Sequence, residues 1–442
     1  MNLDNWLAQR SQTCPDRLGL VAGGTELTYA ELEAEAIVVA RRLAARGVRR
    51  DATVALELPP GPELVVVLHA LMKLGAVAYP LDPRLASAER EAELERAGPI
   101  LVVSEPVDLT ATEADLPLLG EHELDAVQCR ILTSGTSGRP RPVGLTYGNH
   151  LWSAVGSAFN LGIEPSDRWL CCLPMHHIAG FSIALRSAIY GTTAVVHDGF
   201  DTDRIAESLE GDGVTLVSLV ATQLSRLLEA GVDLLPLRAV LVGGGPVPKE
   251  VLEEAIGRGA TVVQTYGLTE AASQVTTLAP EDATRKLGSA GRPLLTTHLR
   301  IVDGEILVQG PTVAPGCADV DGWLHTGDLG RIDEDGFLYV TDRLGDMIVT
   351  GGENVMPAEV EEVLLRHPAV ADAAAVGRAD PEWQEAITAV VVLRNGASVS
   401  ADELRDHCSQ SLAAFKVPKR VEMVDELPRT SAGKLLRREL RR

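Results

Sequence analysis

Positive charge is scarce in this chain of 442 residues, where 40 lysines and arginines stand against 62 aspartates and glutamates for a formal net charge of −22. Duplex nucleic acid is held by a basic face, so a nucleic-acid partner is not expected. An acidic surface promotes solubility and carries no information about fold. Any phosphate-bearing ligand must therefore be held by local donors and a metal, not by the overall field.

Cysteine is sparse as well. Cys14, Cys129, Cys171, Cys172, Cys317 and Cys408 show no paired metal-ligand spacing, and the adjacent Cys171 and Cys172 suit neither zinc nor a disulfide. Buried free thiols in a reducing compartment are the expectation. No apolar run reaches the roughly 20 residues that span a bilayer, so no membrane partner is expected. The opening MNLDNWLAQRSQ lacks the basic and apolar regions of a signal peptide. Internal repeats and low-complexity tracts are missing too. These absences predict a soluble, cytoplasmic protein, with a homodimer left open.

What is present is enough chain for two or more domains, at an ordinary hydrophobic content of 45%. Short apolar runs alternate with helical patterns over the first 260 residues. Strands are predicted at 53–58, 76–79, 100–103, 193–197, 214–219 and 237–242, with a helix over 63–74. Such alternation predicts parallel sheets covered by helices. From His298 to Thr341 closely spaced strands with Gly and Asp turns, such as 305–309 and 336–340, predict a small antiparallel sheet or barrel. Beyond Asp346 a separate core pattern predicts a helix over 358–366, a strand over 387–393 and a helix from Ala401 to Leu412, opened by a Ser400/Glu403 capping box.

Chemistry enters with Leu132-Thr133-Ser134-Gly135-Thr136-Ser137-Gly138-Arg139-Pro140. Glycines let a backbone curl so that N–H groups and hydroxyls surround phosphate oxygens, although such clusters also make plain surface turns. Downstream, in order, come Gln264-Thr265-Tyr266-Gly267-Leu268-Thr269-Glu270, Gly322-Trp323-Leu324-His325-Thr326-Gly327-Asp328, Asp342-Arg343-Leu344-Gly345-Asp346, Gly351-Gly352-Glu353-Asn354 and Arg429-Thr430-Ser431-Ala432-Gly433-Lys434. This ordered set resembles the acyl-adenylate-forming superfamily of acyl-CoA synthetases, adenylation domains and luciferases, from about Trp6 to Lys434.

The resemblance implies an α/β fold with two parts. Residues 1–342 would form a large domain of helix-covered, mainly parallel sheets with a small antiparallel β subdomain. Residues 346–442 would form a small mobile α+β domain, with Gly345 at the hinge. It also implies an AMP-forming acid–thiol ligase that uses ATP, Mg²⁺ and coenzyme A. Thr133, Ser134, Gly135, Thr136, Ser137 and Gly138 would hold the phosphates. The family continues with Pro-Lys-Gly, where this chain has Pro140-Arg141-Pro142; Arg141 keeps the charge without the ammonium geometry, and Pro142 removes a donor.

Glu270 would be the Mg²⁺ ligand, with Thr136 or Thr269 nearby. Tyr266 would stack on adenine with Gly243, Gly244 and Gly245 as the other wall, although alone those glycines read as a strand-ending turn, and Gln264, Thr265 and Gly267 would belong to the same ATP site. Asp328 would accept from the ribose hydroxyls and Arg343 would contact ribose or phosphate. Lys434 would supply charge during adenylation, making it, with Glu270 and Thr136, the catalytic set. Gly351 and Gly352 would let the coenzyme A arm pass.

Residues 146–191 narrow the acid. The block resembles the o-succinylbenzoate–CoA ligases, the menaquinone-pathway branch of the superfamily. That likeness places His177 as a gate beside the acyl pocket. Arg186 sits within the otherwise apolar run from Phe181 to Tyr190, where burial is costly without an anion. The second carboxylate of o-succinylbenzoate would provide one, and an internal ion pair is the structural alternative. Gly288 and Ser289 would line the same pocket. Other aryl- or acyl-CoA ligases, and a stand-alone enzyme loading a carrier protein, remain open at this point.

Overall fold

The computed structural model describes residues 1–108, 112–133, 141–350, 353–381, 383–430 and 433–441. The chain divides into two compact units: 1–299 with 308–324, and 300–307 with 325–442. The second unit takes in the strand Leu338–Arg343.

The first unit holds a nine-stranded sheet. Its strands Val262–Leu268, Ala239–Val242, Leu216–Leu219, Arg168–Cys171, Thr193–Val196 and Leu18–Ala22 lie side by side and parallel. Antiparallel strands flank them: Ser273–Thr277 with Arg292–Pro293 at one edge, and Thr25–Thr28 at the other. Thr193–Val196, Leu216–Leu219 and Ala239–Val242 are buried at every position. That is the mark of strands covered on both faces, and it explains why they read as apolar runs without alternation.

A second, five-stranded sheet carries Leu101–Val103, Thr53–Leu56, Val77–Pro80 and Val127–Thr133 in parallel, with Arg141–Thr146 antiparallel at its edge. The helix Pro62–Leu74 is buried from Leu64 to Leu74, as its nearly unbroken apolar sequence demands. Pro62 opens it at a position where a missing N–H costs nothing.

Loops that leave the carboxyl ends of the parallel strands are where open α/β sheets bind ligands. Here those loops are Gly243–Gly245 after Ala239–Val242, Pro174–His177 beyond Arg168–Cys171, and the turn Thr269–Ala271 after Val262–Leu268.

In the second unit, Leu324–Ile332 and Leu338–Arg343 form an antiparallel pair. A five-stranded sheet follows, of order Glu353–Val355, Ile348–Thr350, Gln384–Leu393 and Val370–Asp380, with Arg420–Val424 parallel to Gln384–Leu393. The helices Pro357–Leu365 and Ala401–Ser409 pack around a core that includes Ile348, Val360, Leu364, Ile387 and Leu404. The capping box is present: Glu403 N donates to Ser400 Oγ (3.2 Å) and Ser400 N to Glu403 Oε2 (2.8 Å).

That last helix ends three residues before the predicted Leu412. Leu412 is reached by a turn in which Ser411 N and Leu412 N donate to Cys408 O (3.1 and 2.9 Å). Of the six cysteines, all free, Cys14 and Cys317 are only half-buried, which corrects the expectation of uniform burial. Among the described residues no helix is long and apolar enough to cross a membrane.

Candidate active site

Thr133 and Arg141 are cross-strand partners that close a hairpin, and Thr133 Oγ1 donates to Arg141 O at 3.4 Å. Ser134, Gly135, Thr136, Ser137 and Gly138 lie outside the described residues, as do Gly351 and Gly352. Pro142 sits on the edge strand of its sheet, where a missing N–H is tolerated. The departure from the family pattern is therefore structurally cheap.

Glu270 belongs to the short turn Thr269–Ala271, which follows the strand Val262–Leu268. Ala272 (φ 52°) and Ser273 (φ 93°) then reverse the chain into the antiparallel strand Ser273–Thr277. This reversal brings backbone against Gly267, where an added Cβ would sit 1.7 Å from Ser273 O. A Gly267→Ala variant should lose about 2–3 kcal/mol or more, because two strands would have to part, seen as a lower urea midpoint for the N-terminal unit.

Glu270 Oε1 stands 3.5 Å from Arg141 Nη2, so the acidic turn and the hairpin end meet. The Arg141 side chain is 64% exposed, and such a pair contributes only about 0–1 kcal/mol. Glu270→Gln should therefore barely change the melting temperature.

Beside this turn, Gly243 packs so closely that a Cβ there would lie 2.7 Å from Thr265 Cγ2. Gly244 and Gly245 extend the same loop. Thr265 Oγ1 is occupied within the sheet, bonded to Thr276 O and Thr277 Oγ1 at 2.9 Å each. Tyr266 is buried, opposite Thr276. Gln264 reaches elsewhere: its Oε1 accepts from Gly288 N (2.9 Å), which ties the Gln264–Glu270 motif to the Gly288–Gly291 loop. Ser289 is fully buried and its Oγ accepts from Gly291 N (3.0 Å), so what it holds directly is that turn.

His177 precedes the helix Ile178–Tyr190, with its ring 4.4 Å from that of His176. Burial pushes its imidazole down to about 4, and the neighbouring His176 acts in the same direction against Asp82. It is neutral at physiological pH.

Arg186 lies on that helix and is 2% exposed. Its Nη2 donates to Ser153 Oγ (3.0 Å), Ser153 Oγ donates to Ala272 O (2.7 Å), and its Nε has no acceptor. The guanidinium carbon is 5.8 Å from the Trp169 ring centroid. Among the described residues no carboxylate pairs with Arg186, so the internal ion pair weighed as its structural explanation is not there. Ser153 carries no motif and was not foreseen. Only the fold shows that it links Arg186 to the turn bearing Glu270.

In the second unit, Asp328 and Arg343 are register partners on adjacent strands, with Arg343 Nε 3.2 Å from Asp328 Oδ1. Lys434 is carried on a turn in which Thr430 N donates to Lys434 O (2.7 Å) and Gly433 N to Thr430 O (2.9 Å). Lys434 is an exposed residue; the protein around it, then Arg343, pushes its ammonium below the usual lysine value, while Asp328 and Asp346 oppose this. The three motif residues thus act on one another within one unit.

The model of AMP-binding enzymes matches residues 7–130 and 121–317, and that of their C-terminal domain matches 359–434. The chain belongs to the AMP-binding enzyme family. Within that family it is similar to the 2-succinylbenzoate–CoA ligase of Bacillus cereus, 41% identical over 99% of this chain and 98% of that protein. Among solved AMP-binding enzymes it is similar to the o-succinylbenzoate-CoA synthetase of Bacillus subtilis in complex with the acyl-adenylate intermediate. That match has a TM-score of 0.94 and 40% identity, covering 100% of this chain and 99% of the other. The same enzyme with ATP and a magnesium ion matches with a TM-score of 0.93 and 40% identity, covering 100% of both chains.

Proposed function

We propose that this chain is an ATP-dependent acid–CoA ligase that converts o-succinylbenzoate to o-succinylbenzoyl-CoA through an acyl-adenylate. The observation that carries the choice of acid is Arg186, a buried guanidinium that no carboxylate of the described chain balances. o-Succinylbenzoate has two carboxylates, and activation uses one. The other is a planar anion that a guanidinium grips with two parallel hydrogen bonds. The full-length likeness to ligases named for this acid supports the same choice.

The chemistry asks one anion, a carboxylate, to attack another, the α-phosphate of ATP, and expel pyrophosphate. Charge must be shielded and the pair held in line. Thr133 and Arg141 at the hairpin end, with the 134–138 loop, take the phosphates. Tyr266, Gly243, Gly244 and Gly245 form the adenine wall, and Asp328 and Arg343 take the ribose side. Glu270 is the carboxylate that stands beside Arg141 at the hairpin end. Among the described residues no cluster of three acidic, His or Cys groups could hold a metal. Glu270 would hold Mg²⁺, a hard cation that a single protein carboxylate suits. Bound there, Mg²⁺ shields the phosphate charge.

Lys434 supplies the mobile positive charge for adenylation, and Gly351 and Gly352 pass the coenzyme A arm for the second half-reaction. On this reading residues 1–342 and 346–442 are the two functional domains, joined at Gly345. Free thiols throughout fit a reducing cytoplasm.

Pyrophosphate release with ATP and Mg²⁺, comparing o-succinylbenzoate, benzoate and octanoate with and without coenzyme A, tests the assignment. CoA-stimulated turnover selective for o-succinylbenzoate is expected. Preference for either monocarboxylate would remove the substrate assignment and keep the ligase chemistry.

A further inference from the structure

We propose that Arg429 is a positioning residue for Lys434 and, through it, for the adenylation half-reaction; the inference rests on the reading of Lys434 as the cation of that step. A lysine ends in a point charge on a flexible four-carbon stem, so its backbone has to be placed before its ammonium can be. Lys434 rides on a tight turn. Its carbonyl accepts from Thr430 N (2.7 Å), its own N–H donates to Thr430 Oγ1 (3.1 Å), and Arg429 and Leu435 pair across the base. Gly433, with φ 76°, gives the turn its left-handed step directly before the lysine.

Arg429 spans this turn from below. Its Nη1 donates to Gly433 O (3.0 Å), the peptide group that joins Gly433 to Lys434, and its Nη2 donates to Asp372 Oδ2 (2.7 Å). Asp372 belongs to the strand Val370–Asp380, within the sheet of the C-terminal segment. One planar fork therefore fixes the lysine-bearing peptide to the sheet, a task that needs two divergent donors and suits arginine.

Three residues after Lys434, Arg437 is itself anchored by carboxylates, with Nη2 2.7 Å from both Glu361 oxygens and Nη1 3.3 Å from Asp346 Oδ2. Both partners of the Arg429–Asp372 pair keep about a third of their side chains exposed (29% and 33%). A pair so open contributes little to stability, so its consequence should lie in geometry.

The test separates the half-reactions on the full chain. Acid-dependent pyrophosphate release reports adenylation, and thioester formation from preformed acyl-adenylate and coenzyme A reports the second step. Arg429→Ala should slow pyrophosphate release about ten- to a hundredfold, the penalty of a misplaced catalytic group. The loss should fall on kcat, with the KM for ATP and the thioester step each within about twofold. Arg429→Lys, which replaces two divergent nitrogens by one, should fall in between. Asp372→Asn keeps the shape, weakens the anchor and should shift the same half-reaction; it carries the test if Arg429→Ala does not accumulate as folded protein.

Equal losses in both half-reactions would mark Arg429 as merely structural and overturn the proposal. So would unchanged adenylation in Arg429→Ala alongside a deficit in Lys434→Ala. Unimpaired adenylation in Lys434→Ala itself would instead remove the reading of Lys434, and this inference with it.

Discussion

Replacing Lys434 with alanine should lower acid-dependent pyrophosphate release by roughly 10²–10³-fold, the scale of losing one preorganised positive group at a centre of developing negative charge. Two anions meet in that step, and the chain as a whole, at −22, repels both. A local cation must outweigh that field. The thioester step has less need of it, since coenzyme A attacks a carbonyl already activated by AMP, which departs as the C–S bond forms. Capture of preformed acyl-adenylate should therefore continue near the wild-type rate, and comparable losses in both steps would refute the assignment.

The pH dependence follows from the same residue. The ammonium is useful only when protonated, and crowding with Arg343 lowers its pKa. Adenylation should accordingly fall on the alkaline side as pH rises through that lowered value, before an ordinary lysine near 10.4 would titrate. Lys434→Arg should move that limb upward, because a guanidinium stays charged. A limb that does not move would assign it to another group.

Arg186→Met is the second large effect, and it should act with opposite signs on stability and activity. The guanidinium is taken out of water with one hydroxyl partner and a nearby ring, and its Nε has no acceptor. A methionine of similar length removes that uncompensated charge, so the ligand-free protein should melt a few degrees higher, a gain of about 1–2 kcal/mol. Binding of the second carboxylate should suffer. Removing one partner of a buried charge pair costs about 2–4 kcal/mol, some 30- to 800-fold in kcat/KM for o-succinylbenzoate. Benzoate, with no second carboxylate, should lose little by comparison. A variant that is less stable and retains its preference for o-succinylbenzoate would show that Arg186 serves the fold and not the substrate.

These expectations also mark how far the sequence could be read. The covered parallel strands were legible because burial on both faces leaves only apolar residues, as at Ala239–Val242 and Leu216–Leu219. The motifs were legible because glycine, hydroxyl and carboxylate groups at fixed spacing have few other uses. Strand ends were less so: the run to Leu58 pairs only as far as Leu56, since hydropathy does not register where a ladder stops.

By itself, then, the sequence determined the fold class, the family, the placing of Glu270, Asp328, Arg343 and Lys434 in their motifs, and the oddity of a lone arginine in an apolar helix. Only the tertiary structure decided what those residues touch. Ser153 beneath Arg186, Gln264 holding Gly288, and Arg429 gripping the peptide before Lys434 are contacts between groups 33, 24 and 4 positions apart. The physical reason is that periodicity and composition record whether a side chain is buried. Its partner is set by sheet order and by the close approach of backbones, as at Gly267 and Ser273, which periodicity and composition do not record.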